Sequence, residues 1–84
     1  METIVVRIRK INGKITLLSV KKDEPVESLK RMIEERIGIV QQEQNLIYNG
    51  QPLKNGTKLT DYQVANEGII QLVLRVDGGF FRIN

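Results

Sequence analysis

Among the 84 residues, one stretch repeats apolar side chains at helical spacing: Val26, Leu29, Ile33 and Ile37. Lys30, Arg31, Glu34, Glu35 and Arg36 take its other faces, so the stripe is single and needs one apolar partner layer. The segments around it follow a period of two or carry turn signals. A lone amphipathic helix among short strands can bury its stripe only against a sheet, which restricts the chain to a two-layer α+β domain.

The strands supply that sheet. Ile4, Val6 and Ile8 alternate with Val5, Arg7 and Arg9, the pattern of a half-buried strand. Asn12-Gly13 follows, a hairpin signal. The next run, Ile15 to Val20, reads in either phase. With Thr16, Leu18 and Val20 inward, Ile15 and Leu17 stay outside; a slip of one residue would reverse the two sets. Pro25 suits the first helical position, with Asp23 or Glu24 supplying the capping oxygen. Gly38 suits a left-handed C-cap. Leu46-Ile47-Tyr48 reads as a short strand turning at Asn49-Gly50, and Gln51-Pro52-Leu53 as an edge strand that tolerates proline. Leu59 to Tyr62 reads as a helical turn. In the last strand, from Ile69 to Val76, the inward set is Ile70, Leu72 and Leu74, and the outward set includes Gln71, Val73 and Arg75.

The chain has no cysteine and no histidine, which removes disulfides, thiol nucleophiles and the usual zinc ligands. Neither a metal nor a cofactor is expected. Ser19 and Ser28 are the only serines, and neither has a histidine to act as base. Glu34 and Glu35 are adjacent on the helix and point apart. No catalytic set emerges, and the expectation is a protein without enzymatic activity. No apolar run approaches the roughly 20 residues that span a bilayer, and Met1-Glu2-Thr3 does not resemble a signal peptide. The expected setting is cytoplasmic or nuclear, without membrane attachment.

The net charge is +3, unevenly placed: residues 1–22 hold Arg7, Arg9, Lys10, Lys14, Lys21 and Lys22 against Glu2. Such a hairpin either attracts acidic partners or nucleic acid, or forms a solvated edge that keeps a sheet soluble. No aromatic residue is interleaved with these cations, so stacking platforms for nucleic acid are missing and the solvated edge is favoured.

At its end the chain runs Leu72-Val73-Leu74-Arg75-Val76 into Asp77-Gly78-Gly79. Two glycines in sequence leave bare backbone able to thread a narrow channel. Together with Leu46-Ile47-Tyr48-Asn49-Gly50, Leu59-Thr60-Asp61-Tyr62 and Gly38-Ile39, this ending resembles ubiquitin and its relatives over about residues 4 to 79. The resemblance implies a β-grasp fold over 1–77, with the first and last strands side by side at the sheet centre, followed by a flexible Gly-Gly tail over 78–84. It implies a partner-binding patch of Ile47 and Val73, with Ile11 at the hairpin tip, Gly50 at the rim and Gln71 where the family has a histidine. That exchange keeps hydrogen bonding and loses pH sensitivity.

The same resemblance places Arg75 on the arginine read by an activating enzyme, Asp77 beside the processing site, and Gly78 and Gly79 at the point of conjugation. Phe80 to Asn84 would then be a propeptide for a protease, or else the start of a further segment. Asp77 reverses the charge of the family's basic residue there, and Asn45 replaces a basic residue bordering the patch. Of the family's chain-building lysines only Lys14 and Lys30 persist, so polyubiquitin-type chains are not expected. The register that matches the family turns Thr16, Leu18 and Val20 inward, so that Val5, Ile15 and Leu17, with Arg7 in place of the family's phenylalanine, make a second outward patch. It would face either a partner or another copy of the chain.

The function expected is that of a monomeric protein-binding module for ubiquitin receptors or the proteasome, conjugated through Gly79 or built into a larger protein. The outside alternative is a basic adaptor for nucleic acid or acidic surfaces.

Overall fold

The computed structural model describes residues 2–75 and 81–82. Strand β1 (Thr3–Lys10) turns into β2 (Ile15–Lys21), and helix α1 (Val26–Ile37) follows. After a 3₁₀ turn at Gln41–Glu43 come β3 (Gln44–Tyr48) and β4 (Gln51–Pro52). A second 3₁₀ turn at Leu59–Tyr62 leads to β5 (Gly68–Arg75), and β6 (Phe81–Arg82) ends the described chain. The strands lie in the order β2-β1-β5-β3-β4, with β6 also pairing with β5. β1 and β5 are parallel and central, with Val6 opposite Gly68 and Lys10 opposite Leu72; the other pairings are antiparallel. This is the β-grasp arrangement of one helix on one mixed sheet.

Alternation decides what is buried. Ile4, Val6 and Ile8 of β1, Leu18 and Val20 of β2, Leu46 and Tyr48 of β3, and Ile70, Leu72 and Leu74 of β5 all enter the core. They meet Val26, Leu29 and Ile33 of α1, while Met32 and Ile37 pack against the margin. In β2 the register is the expected one, with Leu18 and Val20 buried and Ile15 and Leu17 exposed. β4 stands at the sheet edge, where Pro52 withholds no needed ladder donor.

The two ends of α1 differ in how they are satisfied. At its C-terminus Gly38 adopts φ 89° and its N–H donates to the Glu34 carbonyl, as expected for a residue without a Cβ. The N-terminus departs from the sequence reading. Pro25 is the N-cap itself, in extended backbone, and no side-chain oxygen caps the helix. The Val26 N–H instead donates to the Thr57 carbonyl at 2.9 Å. Glu24 is buried and serves the loop before the helix, its carboxylate accepting from the Lys21 N–H and its carbonyl from the Leu59 N–H. Glu27, in the first turn, accepts from the Gly56 N–H. One tertiary backbone carbonyl, that of Thr57, therefore satisfies the first helical N–H where a side-chain cap was expected, a source that local sequence does not display.

Gln44 is the other buried polar residue, 2% exposed. Its Nε2 donates to the carbonyls of Lys30 and Ile39 at 2.9 and 2.8 Å, joining the start of β3 to α1 and to the loop after it. Its Oε1 is buried with no hydrogen-bond partner among the described residues.

Leu29, fully buried in the centre of the helical stripe, is the sharpest test of this core. Leu29→Ala should lower unfolding free energy by about 2–5 kcal/mol in urea titration. A loss below 1 kcal/mol would show that the helix does not seal the sheet in this way.

Candidate protein-binding site

The face of the sheet turned away from α1 is built by the odd-numbered strand positions. Across it run two rows set by the pairing registers. One row is Ile15, Arg9, Gln71, Ile47, and the other is Leu17, Arg7, Ile69. Val73 lies one step further along β5, opposite Asn45.

The patch expected around Ile47 and Val73 is thus assembled from β3 and β5. Ile47, Gln71 and Val73 are half-buried, with the first two directly opposite each other. Ile11 is 42% exposed in the β1–β2 turn. Gly50 sits at the tip of the β3–β4 turn with φ 80°, following Asn49 at φ 50°. Two successive positive φ values suit Asn-Gly and bend the chain back within two residues.

The second outward patch is more exposed than the first. Leu17 and Ile15 are 58% and 47% exposed, whereas Ile47 and Val73 are only intermediate. Val5 is half-buried, its N–H held by the Asn66 Oδ1. Arg7 lies between Leu17 and Ile69 and donates to Glu67 at 3.2 Å, a solvent-exposed pair of small energetic weight. Ile69, 42% exposed, belongs to this patch and was not singled out from the sequence. The signal was present, because Ile69 shares the outward phase of Gln71 and Val73.

Of the remaining candidates, Lys14 is exposed beside the hairpin turn, where its backbone N–H donates to the Asn12 Oδ1. Arg75 is exposed at the end of β5, opposite Phe81 of β6. It borders an open polar depression of about 670 Å³ that Lys30, Glu34, Gln41 and Asn55 also line. Asp77, Gly78 and Gly79 lie outside the described residues. Among the described residues, no cluster of acidic side chains could hold a metal ion, and no helix is long and apolar enough to cross a membrane.

One helix on a mixed sheet of order β2-β1-β5-β3-β4 defines the β-grasp class of small domains. Residues 4–77 match the family model of the ubiquitin family, and the chain belongs to that family. Ubiquitin-like protein 4A of Anoplopoma fimbria is 31% identical over 75 residues, which cover 89% of this chain and 48% of the relative. Ubiquitin-like protein 4A-B of Salmo salar is 32% identical over 75 residues, covering 89% and 50%. The chain spans about half the length of these relatives. Proteins of this family are generally non-catalytic modules.

The ionisation of Lys30 is displaced. Burial pushes its ammonium below the ordinary lysine value, and the nearby Glu27 carboxylate works in the opposite direction. Its Nζ also donates to the Asn55 Oδ1 at 3.0 Å. The folded chain holds this proton less tightly than the unfolded chain does. The charged form therefore costs stability, and that cost fades as pH rises from the lowered folded value towards the unfolded 10.5. Partial exposure keeps the effect small. In a heteronuclear NMR titration Lys30 should lose its proton below the ordinary lysine value, and a midpoint at or above that value would contradict the burial argument.

Proposed function

We propose that this domain is a non-catalytic recognition module of the ubiquitin and proteasome system, engaging receptor proteins through Ile47, Val73 and Ile11. The observation that carries the reading is the placement of Ile47 and Val73 on neighbouring strands, outward and half-exposed, in a chain of the ubiquitin family. Gln71 between them offers a neutral hydrogen-bonding group, and Gly50 leaves the rim open to close approach. Burial of one such aliphatic contributes about 1.5–3 kcal/mol, the scale of weak and exchangeable recognition. The setting of this proposal is the cytoplasm or nucleus, with the domain acting as a monomer.

A narrower reading adds covalent joining through Gly79 after removal of Phe80 to Asn84. Its support is the Gly78-Gly79 pair following Arg75, the position an activating enzyme would read. The contrary reading, a docking domain within a longer polypeptide, is supported by the match to about half of each relative. Intact mass measurement of the protein from its own cells separates them. A product ending at Gly79 with heavier adducts establishes the modifier, and a much longer polypeptide establishes the built-in domain.

Ile47→Ala should weaken binding to purified proteasomes or to a ubiquitin-receptor domain by about tenfold or more while leaving the fold intact. Equal affinities for wild type and variant, by calorimetry or surface capture, would remove this surface from the function.

A further inference from the structure

The outward positions of β1, β2, β3 and β5 carry Arg7, Arg9, Lys21 and Arg75 and, among the described residues, no carboxylate. The cations do not lie apart from the aliphatics. Arg9 stands directly between Ile15 and Gln71, and Arg7 between Leu17 and Ile69. Arg7 is partly compensated by Glu67, just before β5. Arg9 makes no ion pair among the described residues. The three most exposed aliphatics of the strands, Leu17, Ile15 and Ile69, flank these two guanidinium groups. We infer that the β2–β1–β5 face is a second docking surface, and that its occupant is an acidic amphipathic helix of a partner protein.

Three physical arguments select that occupant. Strands lie about 4.8 Å apart, so β2 and β5 set Leu17 and Ile69 roughly 10 Å apart, close to the width of one helix with its side chains. A helix lying along β1 would rest apolar side chains on both flanks and bring carboxylates onto Arg9, whose aliphatic stem continues the apolar floor. A second copy of this chain is disfavoured, because a two-fold contact would bring together two faces that both carry arginines and no carboxylate among the described strand positions. Nucleic acid is disfavoured as well. Tyr48 lies in the core and Tyr62 packs against it, so neither described tyrosine offers a stacking face here, and phosphates gain nothing from Ile15, Leu17 and Ile69. The surface is separate from the Ile47 and Val73 patch, although the two adjoin through Gln71.

The test is NMR shift mapping on the full chain with a synthetic helical peptide. The probe carries leucines at three- and four-residue spacing, flanked by glutamates, and its control replaces those glutamates with lysines. The acidic peptide should shift the amides of Arg9, Ile15, Leu17 and Ile69 and should bind less well as salt rises. Leu17→Lys and Arg9→Glu, both at exposed positions, should weaken it about tenfold without lowering Tm. Arg9→Glu should also gain affinity for the lysine peptide, whereas Ile47→Ala should leave the acidic peptide bound. Shifts confined to Ile11, Ile47 and Val73 would overturn this inference and leave the proposed receptor patch standing. Tighter binding of a single-stranded RNA oligonucleotide at the same face would overturn it, as would a dimer of the free chain that Leu17→Lys dissolves in sedimentation.

Discussion

The parallel pairing of β1 with β5 is the contact on which the remainder of the molecule is hung. It joins residues 62 positions apart in the chain, with Asn66 accepting from the Val5 N–H at the lower end of the seam and Lys10 opposite Leu72 at the upper. Closing so long a loop has an entropic cost that grows slowly with length, and the inward row Val6, Ile8, Ile70 and Leu72 meets it by burial. Because pairing fixes phase as well as position, the same seam lays Arg7 beside Ile69 and Arg9 beside Gln71. Core and outer surface are two consequences of one register.

That coupling explains what the sequence disclosed and what it did not. Alternation in β1 and β5 and the spacing of Val26, Leu29 and Ile33 are strong periodic signals, and the sides they predicted are the sides observed. β2 was harder, since Ile15, Leu17, Leu18 and Val20 are apolar in both phases; only the partner strand selects between them. The start of α1 was misread because its first N–H, that of Val26, is served by Thr57, a residue distant in sequence whose carbonyl carries no compositional mark. Gln44 likewise acts at a distance, its amide donating to the carbonyls of Lys30 within α1 and Ile39 in the loop after it.

The candidate surfaces were legible to different degrees for the same reason. Ile47 and Val73 could be paired in advance through the family resemblance and the phase of β5. Ile69 shares the outward phase of β5, but its importance depends on Leu17, which lies two strands away across Arg7. A property shared by residues on three strands is not written in any local stretch of chain. Lys30 is similar: it stands among charged residues on the helix, yet partial burial lowers its proton affinity against the opposing pull of Glu27.

The central seam also has a mechanical meaning. β1 enters the sheet at one end and β5 leaves it at the other, side by side and pointing the same way. Tension applied through the two termini would slide these strands lengthwise past each other, straining their shared hydrogen bonds together and not one after another. A domain gripped at its ends would on this geometry resist extraction strongly. Pulling from an internal point, such as the β1–β2 turn, would peel the ladder sequentially and meet far less opposition.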